Sequence, residues 1–150
     1  MDARHCKLNM ALFGIYCAVM LWLLFNRPGY IEGVPYWEQV GMSINLVPFV
    51  TVRRYIRLLV HMPNHHLIPH AIINLLGNVV MFIPLGLFLP LLFSKLRKLW
   101  KTLLAAALII TAVEILQLFT LVGSCDVDDL LLNLLGVAAG YWIFKLIAHK

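Results

Sequence analysis

The sequence predicts an all-α integral membrane protein: four transmembrane helices in a single domain, both termini cytoplasmic, with a long first extracellular loop. Three observations carry this. Of 150 residues, 62% are hydrophobic and 13% charged, with a mean hydropathy of +0.88, where a soluble domain averages roughly 45–50% and about 25%. The apolar residues collect in four runs, 8–25, 71–93, 102–122 and 130–148, each near the ~20 residues that cross a ~30 Å hydrocarbon core. The cations lie between the runs, so the net charge of +5 and pI near 9.3 belong to membrane flanks and argue against a nucleic-acid partner.

The first run follows Arg4 and Lys7. No small-x-small site succeeds it, and Tyr16 stands where a lipoprotein signal would carry a small residue before Cys17. A retained helix is therefore expected. With the N-terminus inside, the inner segments hold Arg4, Lys7, Lys95, Arg97, Lys98, Lys101, Lys145 and Lys150, eight of the twelve cations and all six lysines. This bias places both termini in the cytoplasm. Arg53, Arg54 and Arg57, in the first outer loop, run against it.

That loop, residues 26–70, has Pro28, Gly29, Gly33 and Pro35 but also Tyr30, Ile31, Val34, Tyr36 and Trp37, and its aromatics suit the headgroup region. Ser43-Ile-Asn45-Leu-Val-Pro48-Phe49 predicts a turn dipping toward the membrane. Thr51–Val60 carries the three arginines on one helical face and Val52, Tyr55, Ile56 and Leu59 around the other, the pattern of an interfacial amphipathic helix. The arginines have two readings: general contact with headgroup phosphates, or an inward reach by Arg53 or Arg54 to the acidic turn or a bound phosphate, which the planar guanidinium fork suits. His61, His65, His66 and His70 tempt a metal reading, but Pro63 and Pro69 interrupt them, and a polar interfacial loop is expected instead.

Polar groups punctuate the later runs. Pro84 and Pro90 are expected to kink or end the second helix. Asn74 and Asn78, an i, i+4 pair, share a face with Gly77, where a neighbouring helix could approach closely and amides could bridge the gap. Glu114 lies twelve residues beyond Thr102, about 18 Å along a helix rising ~1.5 Å per residue, so it falls in the outer half with Gln117 beside it. An ionised carboxylate at that depth costs at least about 2.5 kcal/mol unless it is paired or meets water. The turn Asp126-Val-Asp128-Asp129 follows; Asp129 could cap the fourth helix, with Asn133 one turn in. Gly136 and Gly140 form a close-packing face. Topology thus gathers Asn74, Asn78, Glu114, Gln117, the aspartates and Asn133 toward the outer leaflet. Cys6 inside, Cys17 in the membrane and Cys125 outside cannot form an intramolecular disulfide.

Asn45-Leu-Val-Pro48-Phe49, Gly77-Asn78-Val-Val-Met-Phe82-Ile-Pro84-Leu-Gly86, Glu114-Ile-Leu-Gln117, and Asp126-Val-Asp128-Asp129 with Asn133 and Gly136 together resemble, in order, the VanZ-like family of small bacterial membrane proteins. The resemblance runs from about residue 43 to 144. It departs at Gly123-Ser124, where many members carry an arginine before the acidic turn, which turns attention to Arg53 and Arg54 as partners for the carboxylates. The resemblance implies a multi-pass protein of the bacterial cytoplasmic membrane. It also implies lowered susceptibility to teicoplanin, an effect of the family's named member that does not come from rewriting the peptidoglycan precursor.

The residues leave three functions open. One is a pocket of Asn45, Asn78, Glu114, Gln117, Asp126, Asp128, Asp129 and Asn133, helped by Arg53 and Arg54, binding the headgroup of a membrane lipid or lipoglycopeptide antibiotic. Another is an enzyme with Glu114 as general base and a divalent cation held by Asp126 and Asp128 against a lipid phosphate. The third is a structural subunit without a ligand, packing on another membrane protein or a second copy. No cofactor and no dedicated metal site are expected from the motifs.

Overall fold

A computed structural model describes residues 3–26, 29–61 and 66–148, with side chains from Cys6 onward. Its order is α1 (Ala3–Phe25), α2 (Tyr36–Met42), β1 (Ile44–Asn45), α3 (Val50–His61), α4 (Ile68–Leu92), a 3₁₀ turn (Ser94–Leu96), α5 (Leu99–Phe119), β2 (Cys125–Asp126) and α6 (Val127–Ala148). α1, α4, α5 and α6 are long and apolar enough to cross a membrane. Their outward side chains, among them Leu12, Leu76, Leu108, Leu135 and Trp142, are exposed, as expected where the solvent is lipid and each helix satisfies its own backbone.

Each expected run overlaps one observed helix, with shifted ends. α4 begins at Ile68 with Pro69 in its first turn, where a missing N–H costs nothing. His70 is therefore helical rather than part of a loop, while His65 and Pro63 lie outside the described residues, as do Lys150 and the side chain of Arg4. The helix continues through Pro84 and Pro90 to Leu92, so neither proline ends it. α5 stops at Phe119 rather than 122. Leu121, at φ +56°, takes the left-handed position that usually goes to glycine. Leu121 N–H donates to Leu118 O and Val122 N–H to Gln117 O, the paired bonds of a Schellman cap. The same Leu121 is buried against Val40 of α2 and Leu118, so packing offsets the ~1–2 kcal/mol cost of that backbone.

α4 is the axis of the bundle, touching α1, α3, α5 and α6, most extensively α6. The contact is close because it is made through glycine. A Cβ on Gly136 would run into Val79 O, one on Gly140 into Ile83 O, and one on Gly86 into Val137 O. Helices in lipid associate by packing rather than by hydrophobic expulsion, so small residues at the seam matter. Gly77, by contrast, has nothing within 4 Å of where its Cβ would be; the close approach expected there lies farther along α4, at Gly86. Met20, Phe82, Leu85, Leu89, Ala106, Ile110 and Val137 fill the centre. α1 attaches through Tyr16, whose hydroxyl donates to Met81 O at 2.9 Å.

The two ends of the bundle differ in charge. One carries the C-terminal ends of α4 and α6 and the N-terminal end of α5, with Lys95, Arg97, Lys98, Lys101 and Lys145. There Tyr141 Oη donates to Arg97 O and Thr102 Oγ1 to Leu96 O. The other end carries the aspartates, α3 and the strand pair.

Gly140→Ala should lower stability by about 1–3 kcal/mol, the usual cost of overpacking, whereas Gly77→Ala should be neutral or raise it by up to ~1 kcal/mol through helix propensity. Thermal unfolding of the two variants in one detergent checks this; equal stabilities would contradict the seam.

Candidate functional site

The site is built on a turn that returns to the membrane. β1 and β2 pair in parallel, Ile44 with Cys125 and Asn45 with Asp126, and Cys125 N–H donates to Ser43 O at 2.9 Å. Two residues per strand cannot hold such a pair alone; the aspartates do so. Asp126 Oδ1 accepts Asp128 N–H at 2.8 Å, a capping bond to the second residue of α6. It also accepts Asn45 Nδ2 at 3.2 Å, while Asp126 Oδ2 accepts Thr51 Oγ1 at 2.6 Å. Asn45 Nδ2 bonds Thr51 Oγ1 as well.

Asp128 is fully buried and caps a different helix. Its Oδ1 accepts Phe49 N–H, and its Oδ2 accepts Thr51 N–H at 2.8 Å and Val52 N–H at 3.0 Å. These donors surround the free N-terminal turn of α3, where a carboxylate is favoured by hydrogen bonding and by the helix dipole. Phe49 adopts φ +66°, the bend that swings the chain from the Asn45 turn into α3. The cap on α6 expected from Asp129 thus falls to Asp126, and Asp128 caps α3 from across the fold.

Asp129 points elsewhere. Asn78 Nδ2 donates to its Oδ1 at 2.7 Å, and both line a cavity of about 110 Å³ with Asn74, Glu114, Gln117 and Asn133. Leu24, Phe82, Ile110 and Val113 form its apolar wall, and Gly123 and the exposed Ser124 its rim. Among the described residues no Lys, Arg or His lines it. Glu114 is only 6% exposed and Asn133 5%. Gln117 Nε2 donates to Leu24 O at 2.9 Å, which ties the end of α1 to the cavity. Among the described residues, Asn74 Oδ1, Glu114 Oε1 and Asn133 Oδ1 are buried without a hydrogen-bond partner. Unpaired buried acceptors cost about 1–3 kcal/mol each and are rare in native interiors.

Arg53, Arg54 and Arg57 line a second, wider cleft of about 640 Å³ between α3 and the start of α4, with Tyr55, His61 and His70. Tyr55 packs edge-on to the His70 ring at 6.2 Å. Burial pushes its phenol pKa up, and so do the negative charges of Asp129 and Asp126, with Arg54 pulling the other way. Among the described residues no three His, Cys, Asp or Glu side chains gather in metal-binding geometry.

Of the residues singled out in the sequence, the structure brings Asn74, Asn78, Glu114, Gln117, Asp129 and Asn133 into one cavity. Asn45, Asp126 and Asp128 form a neighbouring clamp, and Arg53 and Arg54 open on the second cleft. Two contributors had been passed over. Thr51 completes the clamp, and buried Gln39 of α2 folds the 31–34 loop by accepting Ile31 N–H and donating to Ile31 O and Val34 O. A lone amide in a seven-residue helix gives no pattern to find.

Fold and site define a small multi-pass membrane protein with an acid-lined polar cavity at one end of its helix bundle. Residues 13–148 match the VanZ/LLP1 family, and the chain belongs to it. It is similar to Protein VanZ of Enterococcus faecium, with 26% identity over 140 residues that cover 93% of this chain and 74% of that one. No solved structure matches the chain.

Asp128→Ala should release α3. Hydrogen exchange at residues 49–55 is expected to speed up about tenfold or more, since one lost charge-assisted bond costs about 1.5–3 kcal/mol and ~1.4 kcal/mol is a factor of ten. Unchanged protection would show that the cap does not hold the helix.

Proposed function

We propose that this protein works in the cytoplasmic membrane of a bacterium with the aspartate end of the bundle facing outward, and that its cavity binds the headgroup of an outer-leaflet lipid or of a lipoglycopeptide. Occupation of that site lowers susceptibility to antibiotics of the teicoplanin type. The observation that carries this reading is the convergence of three unpartnered acceptor oxygens, from α4, α5 and α6, on one cavity. A bundle stabilised by amide contacts alone would pair all such groups, as Asn78 and Asp129 are paired; these three buried oxygens are left without a partner. Family membership supports the link to susceptibility, and the lysine-rich opposite end supports the orientation. α3 lies along the interface with its arginines among headgroup phosphates.

Binding fits the geometry better than metal-assisted catalysis. Asp126 and Asp128, the pair expected to hold a divalent cation, already accept six hydrogen bonds between them. We assign them to positioning the loop, and assign ligand contact to Glu114, Asp129, Asn74, Asn78, Gln117 and Asn133.

Expressed at wild-type levels in a susceptible host, Glu114→Gln and Asp129→Asn should each return susceptibility to that of the host alone. Retention of the full phenotype by both would end the pocket reading. Orientation is tested at Cys125, which is half-buried and whose thiol pKa is raised by burial and by the negative field of Glu114 and Asp126. The thiolate is the reactive form, so a raised pKa means slow reaction near neutrality and a rate that keeps climbing above the usual thiol range. A membrane-impermeant maleimide should therefore label Cys125 in intact cells slowly at pH 7 and faster at pH 9, and Cys6 only after permeabilisation. The reverse pattern would invert the topology.

A further inference from the structure

The cleft between α3 and the start of α4 shares no lining residue with the acid-lined cavity. Arg53, Arg54 and Arg57 open on it together, joined by the imidazoles of His61 and His70. Among the described residues no Asp or Glu lines it, and no hydrogen bond or ion pair within the chain holds any of the three guanidinium groups. Like charges gathered on one space repel, and an anion placed there relieves them and accepts their N–H groups. Each guanidinium fork suits two oxygens. A phosphodiester brings one negative charge and two free oxygens. A phosphomonoester brings about −1.5 to −2 and three oxygens, the better match to three arginines. Val50, Leu58 and Leu67 add apolar surface to the lining. The volume of about 640 Å³ falls within the roughly 300–1,000 Å³ of sites that hold ligands much larger than a phosphate. The occupant therefore has an apolar part beside its anion.

α4 offers that part a path. Ile73, Gly77 and Val80 follow His70 at i+3, i+7 and i+10 of one continuous helix, so they share its face. Ile73 is 69% exposed and Val80 59%, and Gly77 between them has nothing within 4 Å of where its Cβ would be. A glycine that no neighbouring helix uses leaves a shallow groove on this outward surface, leading from the cleft along the bundle. We propose that the cleft is a specific site for a lipid ending in a phosphomonoester. Arg53, Arg54 and Arg57 hold its phosphate, and its hydrocarbon chain lies over Gly77 along α4. This goes beyond the general contact with headgroup phosphates assigned to α3 above, and it does not rest on the acid-lined cavity.

The test uses the detergent-purified full chain and native mass spectrometry with equimolar phosphatidic acid, phosphatidylglycerol and phosphatidylcholine of one acyl composition. Phosphatidic acid, the phosphomonoester, should be retained about tenfold or more over phosphatidylglycerol, one further charge-assisted bond being enough for that ratio. Arg53→Gln combined with Arg54→Gln, and separately Arg57→Gln, should bring phosphatidic acid down toward phosphatidylglycerol. Lys98→Gln combined with Lys101→Gln, which removes charge at the opposite end of the bundle, should keep the ratio. Gly77→Leu, which fills the groove, should weaken phosphatidic acid several-fold and leave phosphatidylglycerol and the unfolding temperature unchanged. Equal retention of the two acidic lipids by the wild-type chain would overturn the proposal and leave α3 with general headgroup contact. A ratio lost equally in the lysine variant would also overturn it, since net charge and no particular cleft would then select the lipid. Displacement of phosphatidic acid by inorganic phosphate at a similar concentration would assign the arginines to free phosphate and overturn the lipid. Retention of phosphatidic acid by Gly77→Leu at the wild-type level would overturn the path along α4. None of these outcomes touches the acid-lined cavity, whose reading is decided by the susceptibility of the Glu114 and Asp129 variants.

Discussion

One buried carboxylate determines how the extramembrane part of this protein sits on its bundle. Asp128 accepts backbone N–H groups from Phe49, Thr51 and Val52, and these are groups that an α-helix leaves unsatisfied at its start. A side chain from α6 thereby supplies the N-cap of α3, more than seventy residues away in the chain. The turn through Phe49 is shaped to permit it, and the Asn45–Asp126–Thr51 bonds close the clamp from the other side. Without that carboxylate the first turn of α3 would lose the cap that ties it to α6 and would be held by its packing on α4 alone.

The bundle beneath has a complementary economy. Glycine at 86, 136 and 140 brings α4 against α6 through the middle of the fold. Toward the aspartate end the facing residues are Asn74, Asn78, Asp129 and Asn133, with Glu114 and Gln117 of α5 alongside. Asn78 bonds Asp129 across the gap, while Asn74, Glu114 and Asn133 each keep a buried acceptor oxygen without a partner beside the cavity, so tight packing below and polar space above lie along one helix pair. In a bilayer such unsatisfied groups persist only where they line a cavity or meet a partner. This is the physical ground for assigning function to the cavity and structure to the clamp.

Much of this was legible in the residues. Run length and hydropathy gave the four helices, and the positions of Asn78, Glu114, Gln117, Asp129 and Asn133 along those runs put them at one end before any contact was known. The division of labour among the three aspartates was not legible. Asp126, Asp128 and Asp129 are near neighbours in the chain, and only the fold sends one to the start of α6, one to α3 and one to the cavity. Asn45 was placed in the pocket because its motif travels with the others; its pairing partner, Asp126, is 81 residues away, and no local pattern announces a two-residue parallel pair. The helix ends moved by a few residues because the local caps at Leu121 and Asp126 are held by distant partners, Leu121 packing on Val40 and Asp126 bonding Asn45 and Thr51. Gly77 misled for a related reason: spacing shows that a glycine permits approach, while the neighbouring helix decides where approach occurs.

The most direct measurement is an experimental structure of the full chain in a bilayer of its own host's lipids. Non-protein density with a donor within hydrogen-bonding distance of Asn74 Oδ1, Glu114 Oε1 and Asn133 Oδ1 is the expected result. Those three oxygens bonded to one another's side chains or to backbone, with the cavity closed, would contradict it.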